Sequence, residues 1–250
     1  MAILDTEPST ASAARTVPWL PEPWCAEPVT VVVPTYNEAE NLPVLVGELL
    51  ALGLPGLRVL VVDDDSPDGT GRVADELAAA DQRVRVLHRQ AKDGLGRAYV
   101  AGMTQALADG AEFVMQMDAD LSHPVSAVPE LIGVLMSTGA DVVIGSRYVT
   151  GGKIDTDWKA HRKLLSAWAN FYVRAVLRMR IRDVTAGFKI WRRSALETVD
   201  LASLQSNGYS FQVEMHHRAT RHDLLIVESP ISFAERRAGA SKMKIGRAHV

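Results

Sequence analysis

A single α/β domain with a mainly parallel central sheet flanked by helices is what these 250 residues predict. Apolar runs alternate along the chain with segments of helical period. The runs are continuously apolar instead of alternating, the mark of strands buried on both faces by helices. Clusters of Asp, Asn, Ser and Arg follow the runs, and open parallel sheets bind ligands at the carboxyl ends of their strands. Strands are expected at 29–33, 58–62, 84–88, 113–117 and 141–145, with helices at 38–52, 70–80, 94–108 and 128–138. Residues 1–28, with Pro8, Pro18, Pro21, Pro23 and Pro28 among Ser, Thr and Ala, read as an irregular lead-in. Residues 29–250 read as one unit with no dividing linker.

At 47% hydrophobic and 23% charged residues the chain has the make-up of a packed globular domain, which excludes collagen, coiled coil and wholesale disorder. Apolar stretches stay short of the roughly 18 residues that span a bilayer, and no basic start with an apolar run marks a secretion signal. Cys25 is the only cysteine, so neither an intrachain disulfide nor a cysteine-based zinc site can form. The net charge of −3 gives no nucleic-acid footprint, yet it hides a split. Residues 1–150 hold 9 Lys and Arg against 21 Asp and Glu, while residues 151–250 hold 18 against 9. That division suits a first half that holds a cation and a second half that meets an anionic partner, phosphate or a membrane surface.

Four polar clusters fall at expected strand ends: Pro-Thr-Tyr-Asn-Glu at 34–38, Asp-Asp-Asp-Ser at 63–66, Asp-Ala-Asp at 118–120 and Gly-Ser-Arg-Tyr at 145–148. Burying so many acids at one edge without a counter-ion is costly, and a divalent cation resolves the cost. Asp118 and Asp120 stand two apart directly after an apolar strand, so in extended chain both carboxylates project the same way. Hard oxygen ligands of this kind suit Mg2+ or Mn2+, the remaining positions going to water and substrate phosphates. Ser122 and His123 are candidates for a further ligand or a water contact, with His123 read mainly as structural and Pro124 as the start of the next helix.

Ser66 through Thr70 read as turn and helix-start chemistry, whereas Asp63 or Asp64 is placed to accept hydrogen bonds from a base or ribose. Neither G-x-x-x-x-G-K-[ST] nor G-x-G-x-x-G occurs, so any diphosphate must be held by metal and basic side chains. Arg147 supplies one, and Arg236, Arg237 and Lys242 supply others from a basic loop at 235–247 whose Gly239 and Ser241 suit closure over a ligand. Residues 159–182 carry Lys159, Arg162, Lys163, Arg174, Arg178, Arg180 and Arg182 with no acid. Leu165, Trp168, Tyr172, Val176 and Met179 recur there at helical steps. One helix over this span puts them on one face and most cations opposite, which fits either a helix lying on an anionic membrane or one packed on the core with a solvated face.

Together PTYNE, VVDDDSPDGT, DADLSHP, GSRY, DVTAGF, GYSFQVEM and ERRAGASK resemble the dolichyl- and polyprenyl-phosphate mannose synthases, GT-A (Rossmann-like) glycosyltransferases of family 2, over about residues 29–245. The resemblance implies inverting transfer of mannose from GDP-mannose to the phosphate of a membrane polyprenol. It implies a cytoplasmic chain, peripheral on the inner face of the membrane, working with a membrane-anchored partner protein. By motif position it implies nucleotide contacts for Pro34, Tyr36 and Glu38, and the guanosine end of the site for Val62 and Asp64. Asp118, Ala119 and Asp120 would border the diphosphate, Asp118 and Asp120 as metal ligands and Asp120 the better one. Arg147, Arg236 and Lys242 would gather the donor and acceptor phosphates. The sequence departs from some members in having no membrane-spanning segments after this region and in stopping at Val250.

An acceptor phosphate, with a second pKa near roughly 6, is already largely ionised at neutral pH and needs no base, in keeping with the lack of an obvious catalytic His or Glu. Asp118, Asp120 and Arg147 are therefore the expected catalytic group, and Asp120→Ala and Arg147→Ala are expected to fold normally yet lose activity. Two rival readings remain at this level: a family 2 transferase moving another sugar, such as glucose from UDP-glucose, and a catalytically silent subunit that recruits a membrane partner through its basic helix.

Overall fold

The computed structural model describes residues 20–21, 23–154, 160–206 and 208–233, so Arg236, Lys242 and the basic loop at 235–247 lie outside the described residues. Strands and helices alternate through the first half: β1 (Val29–Thr35), α1 (Leu42–Leu50), β2 (Leu57–Asp63), α2 (Thr70–Ala80), β3 (Val84–His88), α3 (Leu95–Ala108), β4 (Phe113–Gln116), α4 (Val128–Thr138) and β5 (Val142–Ser146). Then come β6 (Lys153–Ile154), α5 (Ala160–Leu177), β7 (Lys189–Arg192), α6 (Arg193–Val199), α7 (Tyr209–Arg221), β8 (Ile226–Pro230) and β9 (Ser232–Phe233).

Seven strands form one sheet in the order β3-β2-β1-β4-β7-β5-β8. Every neighbouring pair is parallel except those made by β7, which runs antiparallel to both β4 and β5. The mainly parallel α/β sheet expected from the sequence is thus borne out. β6 and β9 pair as a separate parallel ribbon.

The core lies in two layers, one on each face of the sheet. On one, Leu42, Leu45 and Leu49 of α1 and Val128, Leu131 and Leu135 of α4 cover alternate residues of β1 and β2 such as Val31 and Val59. On the other, Tyr99 and Met103 of α3, Leu196 of α6 and Phe211 and Met215 of α7 cover Val32, Val62 and Val114. Both sets of alternate side chains are buried, which is why these strands read as unbroken apolar runs. Gly102 lets α3 press onto the sheet, since a Cβ there would come within 2.5 Å of Val32 and 2.7 Å of Val62. Burial of Val62 against α3 leaves its side chain fully inside the core.

Expected and observed elements differ where side chains override period. α1 begins at Leu42 instead of residue 38, because Asn37 takes a left-handed φ of 57° and residues 38–41 form the turn that enters the helix. Pro124 leads into a single 3-10 turn, Val125–Ala127, and α4 starts after it. The helix expected over 159–182 stops at Leu177: Arg178 adopts φ 53°, and Met179 leaves the apolar stripe to become buried. Within the lead-in, Trp24–Ala26 form one 3-10 turn and Leu20 is buried against α4. No described helix is long and apolar enough to cross a membrane.

Candidate active site

β2, β1, β4, β7 and β5 are consecutive in the sheet, so the carboxyl ends of β2, β1, β4 and β5 bring the four polar clusters to one edge. The β1 and β2 loops are stapled together. Ser66 Oγ accepts the Asn37 N–H at 3.1 Å, Thr70 Oγ1 accepts the Glu38 N–H at 2.9 Å and Asp68 accepts the Ala39 N–H at 3.2 Å. Residues 66–70 therefore play the structural part read from the sequence. Asp63 is taken up inside the same staple, accepting from Thr35 Oγ1 at 3.1 Å, from Ser66 Oγ at 2.6 Å and from the Ser66 N–H at 3.1 Å. Of the two acids proposed for base or ribose, Asp63 is thus a loop organiser. Asp64 pairs with Arg89, and burial nonetheless holds its carboxyl above the usual range. Beside them Lys92 stands 3.6 Å over the Tyr36 ring, and the Asn41 amide donates to Glu38 at 2.8 Å.

At the end of β4, Asp118 is fixed from two sides. Tyr99, fully buried on α3 and stacked on Phe211, donates its hydroxyl to Asp118 Oδ1 at 2.7 Å. Burial, reinforced by the Asp118 charge, keeps the Tyr99 phenol well above its ordinary pKa, so it stays a donor. The Asp118 N–H donates to His123 Nδ1 at 3.1 Å, and the His123 ring stacks on Phe188. An accepting Nδ1 requires a neutral imidazole, and burial holds His123 below the usual histidine value. Asp120 Oδ1 accepts from the Ser122 N–H at 3.1 Å and its hydroxyl at 2.6 Å, so Ser122 shapes the acidic turn. Gly187 lies close against the pair: a Cβ there would stand 3.4 Å from Asp118 Oδ2 and 3.4 Å from His123. Among the described residues no group of three or more His, Cys, Asp or Glu side chains forms a ready-made cation cage.

Facing these acids, Arg147 follows β5 and is clamped by Asp183. Its Nε and Nη2 donate to Asp183 at 2.8 and 2.7 Å, its backbone N–H donates at 3.0 Å, and Nη2 also reaches Thr185 Oγ1 at 2.9 Å. Asp183 is wholly buried, and its own N–H is held by Glu228 at 3.0 Å. The Phe233 and Tyr148 rings flank the guanidinium at 5.2 and 5.5 Å. His123 lies within electrostatic range of Asp118, Asp120, Arg147 and Asp183, which ties the acidic and basic halves into one site. The arginine read from the sequence as a phosphate ligand is thus also half of a buried ion pair, so the expectation that Arg147→Ala folds normally is corrected below. From the sequence Asp183 entered only as the first residue of the DVTAGF block, with no role given to it, and Tyr99 was not singled out. Asp183 carried a signal, being the first acid after the cationic stretch 159–182, whereas Tyr99 had none among the apolar residues of its helix.

Beneath the edge, β7 carries a fully buried Lys189 whose Nζ donates to Gln212 Oε1 at 2.7 Å and to His216 Nε2 at 2.7 Å. His216 Nδ1 donates to the Val184 carbonyl at 2.9 Å, fixing the neutral tautomer. Burial pushes Lys189 and His216 well below their usual values. The sign follows for the two buried histidines, His123 and His216. With folded values below an unfolded value of about 6.5, the unfolded chain takes up more protons as the pH falls through that value. Stability is therefore complete above about 6.5 and declines on acidification. Thermal melts across the histidine range should show Tm falling with acid, and His216→Gln should shallow the slope. A flat Tm would exclude neutral packing of these rings.

A sheet of this order, with its acidic turn at one strand end and an arginine across the edge, has the GT-A arrangement. The fold is like that of glucosyl-3-phosphoglycerate synthase from Mycobacterium tuberculosis, solved with Mn2+, UDP-glucose and phosphoglyceric acid (TM-score 0.64, 20% identity, 86% of this chain and 73% of that one). It is also like a mannosyltransferase from Pyrobaculum calidifontis solved with GDP-Man and Mn2+ (TM-score 0.57, 20% identity, 86% and 58%). The chain belongs to glycosyl transferase family 2, which its residues 30–200 match. It is 48% identical over 214 residues to the polyprenol monophosphomannose synthase of Mycolicibacterium smegmatis, covering 85% of this chain and 80% of that protein. To the undecaprenyl-phosphate mannosyltransferase of Micrococcus luteus it is 46% identical over 218 residues, covering 87% and 88%. The resemblance to polyprenyl-phosphate mannose synthases read from the motifs is borne out by these relatives.

Proposed function

We propose that the protein transfers mannose from GDP-mannose to a polyprenyl monophosphate, giving polyprenyl-phosphate β-mannose and GDP. The observation that carries this reading is the pairing, at one sheet edge, of a braced Asp118–Asp120 turn with the clamped Arg147. The relatives named for polyprenol and undecaprenyl-phosphate mannosyl transfer support the substrates. Asp118 and Asp120 fit a divalent cation, Mg2+ or Mn2+, because Tyr99 engages Oδ1 of Asp118 and leaves Oδ2 to bind, and two carboxylates leave coordination positions for diphosphate oxygens. Such a cation neutralises the departing diphosphate.

An acceptor phosphate oxygen attacks C1 of mannose from the face opposite the diphosphate; the new C1–O bond forms as the bond to GDP breaks, inverting the centre. The phosphate needs no general base, and His123, whose Nδ1 is occupied by the Asp118 N–H, does not offer one through that nitrogen. Arg147, whose Nε and Nη2 are held by Asp183, meets a phosphate with its Nη1 edge and its charge. Pro34, Tyr36, Glu38 and Asp64 line the nucleotide end; Val62, expected there from the motif, has its side chain enclosed in the core and does not line it. Residues 29–250 act as one catalytic domain, in which the loop at 235–247 brings Arg236 and Lys242 to the phosphates. The protein works peripherally at the inner membrane face, with a membrane-anchored partner.

The test is incubation with labelled GDP-mannose, a short polyprenyl phosphate and either metal or chelator, followed by extraction into organic solvent. Metal-dependent label in the lipid phase is the expected result, and preference for UDP-glucose in competition would overturn the donor. Tyr99→Phe strips the brace from Asp118 and should weaken Mn2+ affinity about 10- to 100-fold, as loss of a group that orients a ligand does. Unchanged Mn2+ titration would remove Asp118 from the cation's ligands.

A further inference from the structure

Part of the apolar stripe of α5 faces away from the core. Trp168, Phe171, Tyr172 and Val176 are 55–65% exposed, and the Trp168 and Tyr172 rings stack at 5.5 Å. Of the two arrangements that the sequence left open for this helix, the described part shows a mixture: Val173 and Leu177 pack on the core while Trp168, Phe171, Tyr172 and Val176 stay exposed. Beside the stripe lies a groove of about 400 Å³ lined by Tyr148, Asn170, Phe171, Arg174 and Arg182, large enough for a small ligand head. Its frame is fixed: the Asn170 amide donates to the Arg182 carbonyl and its Oδ1 accepts the Val184 N–H at 3.0 Å, which locks α5 to the 182–184 loop and sets Arg174 across from Arg182.

Neither guanidinium has an acidic partner among the described residues, and Arg174 Nε is buried without any hydrogen-bond acceptor. A buried donor left unpaired is costly unless something accepts from it. The nearby carboxylate, Glu228, is engaged by the backbone N–H groups of Arg182 and Asp183 and lines a neighbouring groove instead. Arg178, Arg180 and Arg182 are exposed nearby, and the sequence over 159–182 has no acid, so the described surface is complementary to an anionic one.

We propose that this groove seats the phosphate of an anionic phospholipid head group while the aromatic stripe of α5 lies in the membrane interface. It rests on the lipid-acceptor reading above. The two arginines grip the head group as aromatic rings enter at the depth where amphipathic helices bind. Tyr148, next in sequence to Arg147, makes one wall, so the bound bilayer surface sits beside the reaction site.

The full chain is sedimented with phosphatidylcholine vesicles with and without phosphatidylglycerol. Binding should require phosphatidylglycerol, and Arg174→Gln and Arg182→Gln should each weaken it roughly fivefold, the share of one basic residue at an anionic surface. Arg178→Gln and Arg180→Gln, outside the groove, should weaken it less, and Phe171→Ser should weaken it with no change in charge. Equal losses at Arg178 or Arg180, or no loss in the groove variants, would overturn the proposal. So would saturable binding of inorganic phosphate that needs Arg174 while vesicle binding does not. Melting temperature and GDP affinity in Mn2+, read on the same variants, should stay at the wild-type level. If Arg174→Gln fails to fold, the exposed Arg182→Gln carries the test. A wild-type protein that binds these vesicles but not GDP would sink the mannosyl-transfer reading and leave the head-group site standing.

Discussion

Asp120→Ala should fold, bind vesicles and turn over roughly 100- to 1000-fold more slowly, the usual cost of removing one group that stabilises charge in a reaction. Structurally the substitution removes the two hydrogen bonds from Ser122, about 1 kcal/mol each, and the backbone of the turn keeps the Asp118 N–H bond to His123. The effect should fall on kcat/KM and on Mn2+ affinity together. Near-full turnover with unchanged metal affinity would show that the acidic turn is only a loop device.

Arg147→Ala should behave differently, because it strips the partner from a carboxylate with no solvent exposure. Breaking a buried pair from one side costs about 3–5 kcal/mol, enough to unfold a marginal domain. Loss of activity in that variant alone therefore says nothing about phosphate binding. The informative protein is Arg147→Ala combined with Asp183→Asn, which removes the stranded charge. It should regain much of the melting temperature while staying about 100-fold or more below wild-type turnover. If the double variant recovers both stability and activity, Arg147 is a structural cation and the acceptor phosphate is held elsewhere.

Much of the site was legible because its parts are local. The Asp118–Asp120 turn follows directly on an apolar strand, and the staple of residues 66–70 uses turn chemistry that is readable residue by residue. What was hidden depends on contacts distant in the chain. Tyr99 and Asp118 lie 19 residues apart, Arg147 and Asp183 36, and Lys189 and His216 27. The period of α3 reports that Tyr99 faces the sheet, but not that its hydroxyl ends at a carboxylate. β7 escaped notice for a related reason: four residues with a basic group at each end do not look like a central strand, and only Gln212 and His216, on α7, make Lys189 tolerable there. The outward stripe of α5 also could not be decided from period alone, since a core-facing and a lipid-facing helix share one pattern.

The antiparallel β7 has a bearing on how the chain is made. It is the sole link between β4 and β5, pairing residues 113–116 with residues 189–192. Until the ribosome has released the segment past residue 192, the growing polypeptide can assemble β1 to β4 but leaves one margin of that half-sheet bare, as it leaves β5. Such margins invite pairing with other nascent chains. Completion of the sheet must therefore wait for a late, non-local insertion, which makes synthesis the stage at which this protein is most exposed to aggregation.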